Sequence, residues 1–384
     1  MQMSMWGQED NANVGRMIAI IDADLLDNGT RHPNLALMKI SGYYKDEGFS
    51  INLIESYEHF QAEQYYRVFV SKVFNFTKVD KAILQSPNVC IGGTGFFEDG
   101  GENLPSEIEH HMPDYHLYDA FIEHQVERGR KPGYYADYQN FSIGFASRGC
   151  FRKCSFCVNR KYNNALFHSH ISEWLDLERK GIYLWDDNIF AFSGWREVFE
   201  ELEKTGKPFQ FRQGLDIRLL TAEKATVLST CHYMGDFIFA FDHVQDAELI
   251  SEKLALWREY SSRGTKLYVL CAFDSQDVDD IINIFKRIKV LFQYGCWPYI
   301  MRYQEYTNSD LKGLYIQLAR WSNQPQFIKR MSFRQYCHQN QLYIHRECAS
   351  MIALKDFEAR YPDVADKYFD LCFLDSQFVK DLHK

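Results

Sequence analysis

The feature that most constrains the fold of this chain is a repeated alternation of short apolar runs with amphipathic stretches. The first part of the 384-residue chain has apolar runs at residues 17–26, 49–56 and 86–96. Residues 34–48, between the first two runs, have helical spacing and a glycine at the end. Strand, helix and strand in succession predict a parallel sheet with right-handed crossovers. We expect this sheet at residues 17–96, after an N-terminal tail at residues 1–16.

The alternation restarts at residue 141 and predicts six further strands. They are expected at residues 141–147, 181–188, 209–216, 236–242, 266–273 and 296–303. The clearest helix between them has apolar residues at i, i+3 and i+4 positions, namely Val278, Ile281, Ile282, Phe285, Ile288 and Leu291. Six strands in this order form either an open doubly wound sheet or a partial barrel. Both arrangements bind ligands on the loops that follow the strands.

Two other segments lack strand patterns. Residues 97–140 contain glycines, prolines and acidic residues without clear periodicity, which predicts a linker. Residues 306–384 are mostly helical in pattern and rich in aromatic and charged residues. The chain is therefore expected to have a mainly helical C-terminal region.

Three of the ten cysteines lie within eight positions, directly after the predicted strand at residues 141–147. Cys150, Cys154 and Cys157 have the spacing C-x3-C-x2-C, which lets one loop wrap around one metal centre. Three protein thiolates leave one iron of a [4Fe–4S] cluster without a protein ligand. That iron is available to bind a substrate or cofactor.

Two other interpretations of the three cysteines remain open at this point. Zinc binds Cys3His sets, and His168 and His170 follow the cysteines, but structural zinc usually pairs two knuckles and only one is present here. A redox C-x-x-C pair would not need Cys150. The spacing favours iron–sulfur over zinc.

Composition indicates where the protein is expected in the cell and which classes of partner are not expected. Neither a signal-peptide pattern nor a run of about 18 apolar residues is seen, so we expect a cytoplasmic protein with reduced thiols and no membrane partner. The net charge of −9 argues against non-specific nucleic-acid binding. Five cationic residues lie near the cysteines, namely Arg148, Arg152, Lys153, Arg160 and Lys161. They could bind a phosphate-bearing substrate such as RNA or remain solvated, and we favour the second alternative. A nucleic-acid partner is therefore not favoured.

The segment "RGCFRKCSFC" resembles the signature of the radical S-adenosylmethionine (SAM) superfamily, including the aromatic residue before the last cysteine. The segments "IYLWDDNIF", "FQFRQGLDIRLL", "LYVLCAF" and "PYIMRY" are similar to later barrel strands of that superfamily. Upstream, "CIGGTGFFEDGGENLPSEIEHHMPDYHLYD" is similar to the end of the cobalamin-binding-type domain that precedes many such barrels. The resemblance covers about residues 17–305.

The resemblance implies an α/β fold with three parts. These are an N-terminal Rossmann-like parallel sheet of the cobalamin-binding type at residues 17–96, a partial (β/α)6 barrel at residues 141–305 and the helical region at residues 306–384. It also implies an enzyme with one [4Fe–4S] cluster. The open iron would bind SAM, and an electron from a donor such as flavodoxin or ferredoxin would cleave SAM to a 5′-deoxyadenosyl radical that attacks an unidentified substrate.

The resemblance also implies roles for individual residues. Cys150, Cys154 and Cys157 would bind iron, and Phe156 would lie beside the adenine of SAM. Contacts to the amino group, ribose and carboxylate of SAM would come from the ends of the next two strands, at Asp186, Asp187, Asn188, Gln213, Asp216 and Arg218. Ordinary alternatives are loop packing for Phe156, a helix-capping turn for residues 186–188, and surface salt bridges for the last three.

The sequence departs from the superfamily pattern in three ways. The usual glycine–glutamate pair at the SAM amino group is absent. The D-x-H-x-x-G motif, whose histidine binds cobalt, is also absent, so cobalamin is not expected even if the first domain has that fold. Only Cys90 lies in the first domain, so the second cluster of methylthiotransferases is not expected.

Overall fold

The computed structural model describes residues 15–342 and 344–382. The chain divides into two compact units, one that ends at Gln210 and one that begins at Phe211. This division is coarser than the five segments predicted from the sequence, whose boundaries remain predictions. Of the predicted tail at residues 1–16, all but the last two residues lie outside the described part.

The first unit begins with a four-stranded parallel sheet, as the first alternation predicted. Its strands are β1 (Met17–Asp22), β2 (Ser50–Leu53), β3 (Arg67–Ser71) and β4 (Val89–Gly92), in the order β2-β1-β3-β4. Strand β3 was not predicted. It lies between β1 and β4 with four of its five residues buried, so it has no alternation of apolar and polar residues.

Six short helices accompany this sheet. They are α1 (Ala23–Asn28), α2 (Leu35–Asp46), α3 (Lys81–Leu84), α4 (Ser106–Glu109), α5 (Asp119–Glu127) and α6 (Ala136–Asn140). Helix α2 begins where the Asn34 side chain accepts a hydrogen bond from the Leu37 N–H at 3.2 Å. Leu37 and Met38 pack in the core of the sheet, and Gly48, with φ of 81°, follows the helix end.

The segment predicted as a linker, residues 97–140, is folded against the first sheet. Ile108, Phe121 and Tyr135 share one core with the residues of β1. The Tyr118 hydroxyl donates to Asp22 Oδ2 at 2.9 Å. The helices of this segment are only four to nine residues long, which is too short to give a clear 3.6-residue pattern in the sequence.

The rest of the first unit contains a second parallel sheet and a small hairpin. The sheet has the order β5-β8-β9, from β5 (Phe141–Gly144), β8 (Gly181–Leu184) and β9 (Phe209–Phe211), with β9 at the unit boundary. Helix α7 (Trp195–Lys204) lies between β8 and β9 in the chain. The antiparallel hairpin of β6 (Ser147–Arg148) and β7 (Leu166–Phe167) was not predicted, because each strand has only two residues.

The second unit contains a three-stranded parallel sheet in the order β10-β11-β12. Its elements are α8 (Ala222–Thr230), β10 (Phe237–Ala240), α9 (Ala247–Tyr260), β11 (Thr265–Cys271), α10 (Val278–Gln293) and β12 (Trp297–Arg302). Helix α10 buries Ile281, Phe285, Ile288 and Leu291, as its periodicity predicted. Asp277 caps its N-terminus by accepting from the Asp279 N–H at 3.0 Å.

The C-terminal region is helical, as predicted. Its helices are α11 (Lys312–Ser322), α12 (Pro325–Ile328), α13 (Phe333–Leu342), α14 (Ala349–Arg360), α15 (Pro362–Tyr368) and α16 (Gln377–Leu382). Their apolar residues share a core with α10 and β12.

The predicted mixed α/β class with parallel sheets is thus confirmed, whereas closure of the later strands into a partial (β/α)6 barrel remains a prediction. In the part of the chain that the structure covers, every helix is too short or too polar to traverse a lipid bilayer.

Candidate metal centre

The three clustered cysteines lie on one loop whose ends are joined by the β6–β7 hairpin. Ser147 pairs with Phe167 and Arg148 with Leu166, so the chain leaves and re-enters the hairpin at neighbouring points. Cys150, Cys154 and Cys157 are half-buried in the intervening loop. All ten cysteines of the chain fall within the described ranges, and all are thiols rather than disulfides.

Two of the sulfurs accept hydrogen bonds from nitrogen donors. The Arg152 N–H and the Asn188 side-chain amide donate to Cys150 Sγ at 3.4 Å and 3.3 Å. The Asn159 N–H donates to Cys157 Sγ at 3.4 Å. N–H donors of this kind stabilise thiolate ligands and set the properties of iron–sulfur clusters. The donor set therefore fits a cluster.

The arrangement and protonation of these thiols bear on metal binding. Among residues 15–342 and 344–382, no group of three or more His, Cys, Asp or Glu side chains is arranged to hold a metal ion. Burial raises the pKa of the Cys157 thiol above its ordinary value, against the hydrogen bond from Asn159. Thiols bind metal ions as thiolates, so a metal ion bound by Cys157 would displace the thiol proton.

Asp186, at the end of β8, holds the start of the hairpin. Its side chain is buried and accepts hydrogen bonds from the Ala146 N–H at 3.2 Å, the Ser147 N–H at 2.6 Å and the Ser147 hydroxyl at 2.7 Å. Burial raises its pKa to about 6, although these donors act in the opposite direction. The carboxylate is thus occupied by the chain that leads into the cysteine loop.

Asp187 contacts both ends of the cysteine loop. Its Oδ2 accepts from the Gly149 N–H and its Oδ1 accepts from the Asn159 side-chain amide, each at 2.6 Å. The Arg148 guanidinium lies 3.7 Å away. The expected capping-turn alternative for Asn188 is not observed, because its side chain makes no cap for the short 3-10 helix Ile189–Ala191. Residues 186–188 therefore act together as a support for the cysteine loop.

Gly149 precedes Cys150 in a conformation that suits glycine, with φ of 95°. A Cβ there would lie 2.4 Å from the Asn164 carbonyl oxygen. We expect Gly149→Ala to shift the loop and reduce the iron retained per chain, with roughly 1–3 kcal/mol of strain. Iron analysis and thermal unfolding measure both effects. Gly129→Ala is the matched control, because Gly129 has φ of 90° but nothing within 4 Å. Equal iron loss in both variants would contradict the role of Gly149.

The basic residues of the loop are used within it. The Lys153 ammonium donates to the Arg160 carbonyl at 2.7 Å, to Asn163 Oδ1 at 2.8 Å and to the Tyr162 carbonyl. Arg160 donates to the Cys157 carbonyl at 3.1 Å. The other cations pack over neighbouring rings, as Arg148 does over Phe145, Arg152 over Phe151 and Lys161 over Tyr162. These contacts favour a structural use of the charges over a nucleic-acid surface.

The two histidines considered as zinc ligands belong to a different network. His168 Nε2 lies 3.1 Å from Glu109 Oε1, and its Nδ1 lies 3.0 Å from the Ser169 hydroxyl. His170 Nδ1 lies 3.5 Å from Glu201. With these partners, the histidines do not complete a Cys3His set with the thiols, which weakens the zinc interpretation.

Glu109 is the centre of that network and also binds a buried cation. The Lys39 ammonium, whose side chain is only 4% exposed, lies 2.8 Å from Glu109 Oε1. Burial alone would raise the pKa of Glu109, but the hydrogen bond from His168 and the charge of Lys39 lower it to about 2. Nothing in the sequence pattern marked this pair. A lysine on the apolar face of α2 is the one signal that could have suggested it.

The other predicted cofactor residues have different surroundings. Phe156 is half-buried within the cysteine loop. In the second unit, Gln213 is exposed, whereas Asp216 is buried and accepts from Arg218 Nε at 2.8 Å. Arg218 also donates to Asp246 at 2.7 Å, and these carboxylates raise its pKa although burial acts the other way. The ion-pair alternative for Asp216 and Arg218 is therefore present in the structure.

The carboxyl edge of the first sheet, where a cobalamin would be expected, is occupied by the chain's own groups. Asp24 accepts from the Val73 N–H at 2.6 Å and from the Thr77 hydroxyl at 2.5 Å. Gly93 lies so close to the preceding loop that a Cβ would be 2.3 Å from the Lys72 carbonyl oxygen. Glycine at position 93 therefore allows two segments of the chain to pack closely against each other.

The histidines of this region have carboxylate partners. His32 lies 2.7 Å from Asp137, and the exposed His59 lies 3.5 Å from Glu58. The expectation that this sheet lacks cobalamin continues to rest on the missing D-x-H-x-x-G motif and remains a prediction.

Comparison with known proteins gives matches among solved structures only. No family model matches the chain, and no curated protein matches it. Among solved structures it is similar to the radical S-adenosylmethionine methyltransferase TsrM from Kitasatospora setae, with cobalamin and a [4Fe–4S] cluster bound, at 11% identity and a TM-score of 0.45, over 67% of this chain and 70% of that one. A second TsrM structure, with tryptophan substrate and the SAM analogue aza-SAM bound, gives 13% identity, a TM-score of 0.45, and 67% and 68% coverage. A likeness at this level does not establish a shared reaction.

Proposed function

We propose that this chain is a radical SAM enzyme whose cysteine loop holds one [4Fe–4S] cluster. The observation that carries the proposal is the loop itself. Its C-x3-C-x2-C thiols lie between the strands of one hairpin, and nitrogen donors point at Cys150 and Cys157. When bound, such a cluster supplies an open iron for SAM and an electron for its reductive cleavage to a 5′-deoxyadenosyl radical.

The chain's own residues have separate proposed tasks. Cys150, Cys154 and Cys157 would bind iron, and Phe156 would pack beside the adenine of SAM. Asn188 would lie next to the cofactor, because its amide contacts Cys150 Sγ. Gln213, Asp216 and Arg218 are proposed to contact the ribose and carboxylate of SAM. The carboxylates of Asp186 and Asp187 are bound to the loop, so we propose that they act through it.

The proposed enzyme is cytoplasmic, takes its electron from a flavodoxin or ferredoxin, and does not use cobalamin. The alternative from another class is a non-catalytic binding protein that a metal in the same loop stabilises.

Metal analysis and SAM binding test the proposal together. We expect anaerobically reconstituted protein to hold about four irons per chain, as one cube requires. After reduction, added SAM should change the electron paramagnetic resonance (EPR) spectrum of the cluster, and 5′-deoxyadenosine should form. Omission of the reductant is the control for the cleavage product. A protein that retains zinc and no iron after the same treatment would support the alternative.

A further inference from the structure

We infer that Asp187 is a positioning residue that braces the cysteine loop. Its carboxylate accepts hydrogen bonds from Gly149, directly before Cys150, and from Asn159, directly after Val158. The inference rests on the proposed function, because the loop is taken as the cluster site. It concerns a different property of that site, namely how the protein holds the two ends of the cysteine-bearing segment together.

The first argument is the span of the contacts. Gly149 and Asn159 flank residues 150–158, which contain all three cysteines. Both flanking residues donate to the same carboxylate at 2.6 Å. The hairpin joins the chain further out, at Arg148 and Leu166, and leaves a loop of 17 residues, 149–165, between those positions. Asp187 therefore closes a shorter loop within the hairpin loop.

The second argument is the strength of these bonds. Hydrogen bonds to an ionised carboxylate are shorter and stronger than those between neutral groups. The Asp187 side chain is only 9% exposed, so water competes little for its oxygens, and Arg148 lies 3.7 Å away to offset its charge. An amide in its place removes the negative charge and turns one of the two acceptor atoms into a donor, so Gly149 and Asn159 would no longer each have a carboxylate oxygen of their own. Asp187→Asn is therefore expected to weaken the brace.

The third argument separates this role from direct cofactor binding. Both oxygens of Asp187 already accept hydrogen bonds from the loop. The two adjacent residues also contact this part of the chain. Asp186 accepts from the Ser147 N–H, and Asn188 donates to Cys150 Sγ. The end of β8 thus holds the loop at its start, at its first sulfur and at its far end.

The test compares Asp187→Asn with Asp80→Asn as a matched control. Asp80 also accepts a backbone N–H, from Ala82 at 2.9 Å, but at the start of α3. In metal-free protein, we expect amide exchange of the peptide around residues 149–159 to become about tenfold faster in Asp187→Asn, because charged hydrogen bonds are lost. In reconstituted protein, iron release to a chelator should become roughly 10–100-fold faster, as for other residues that orient metal ligands. The EPR spectrum of its reduced cluster should also change, and Asp80→Asn should match the wild type in all three measurements.

Each contrary result has a defined meaning. Unchanged amide exchange in Asp187→Asn would overturn the brace, whatever the metal content. If amide exchange becomes faster in Asp187→Asn but iron release and the EPR spectrum do not change, Asp187 does not position the cysteines for metal binding. A wild-type protein that holds no iron would overturn the proposed function instead, and the exchange measurement on the metal-free chain would still decide whether Asp187 braces the loop.

Discussion

Replacing Cys154 with alanine is expected to abolish cluster binding, with iron falling from about four per chain to near zero. The Cys154 side chain lies on a loop and is only half-buried, so its removal leaves no large cavity in a hydrophobic core. The change in the free energy of unfolding of the metal-free protein should therefore stay within about 0.5 kcal/mol. Iron analysis, 5′-deoxyadenosine formation and thermal unfolding of the metal-free chain measure the three quantities.

Cys372→Ala is the control for the loss of a thiol. Cys372 is also half-buried, but it lies near the C-terminus of the second unit. This variant should retain the full iron content and full SAM cleavage. Full cleavage activity in Cys154→Ala would contradict the assignment of the loop as the cluster site, and equal iron loss in both variants would show that the effect is not specific to the loop.

Replacing Glu109 with glutamine is expected to cause a large loss of stability in the first unit. The Lys39 ammonium is 4% exposed and has Glu109 as its carboxylate partner at 2.8 Å. Removal of one partner from a buried ion pair leaves an uncompensated charge, which costs about 3–5 kcal/mol. Chemical denaturation at neutral pH measures the loss.

The pH dependence gives an independent measurement of the same pair. The folded-state pKa of Glu109 is about 2, below the ordinary value of 4.5. A depressed carboxyl pKa contributes stability that is present above the ordinary value and is lost as pH falls from 4.5 towards 2. This contribution should be missing in Glu109→Gln. Burial lowers the pKa of Lys39, so the variant should regain part of its stability at alkaline pH, where the buried amine loses its proton.

Lys39→Met is the control for the charge itself. It removes the buried cation and keeps a side chain of similar length, so the double variant with Glu109→Gln should lose much less stability than the sum of the two single losses. Strict additivity, or a loss below about 1 kcal/mol in Glu109→Gln, would show that the pair is not a buried ion pair of this kind.

The sequence was sufficient for the strands and helices whose pattern is local. The run at residues 17–26 contains β1, which ends at Asp22, directly before α1 begins. The run at residues 266–273 corresponds to β11, and the periodicity after residue 278 corresponds to α10. Strand β3 and the helices of residues 97–140 were missed. Strand β3 is buried on both faces, and those helices are short and are stabilised by aromatic residues that pack against the first sheet.

The C-x3-C-x2-C spacing is local, so the printed sequence is enough to place three thiols on one loop. The groups that surround those thiols come from distant parts of the chain and depend on the fold. Asp187 is 28 residues from Asn159 and 38 from Gly149, and Lys39 is 70 residues from Glu109. Contacts over such separations form where a parallel strand ends beside a distant loop, and a buried charge acquires its partner through packing rather than through spacing along the chain.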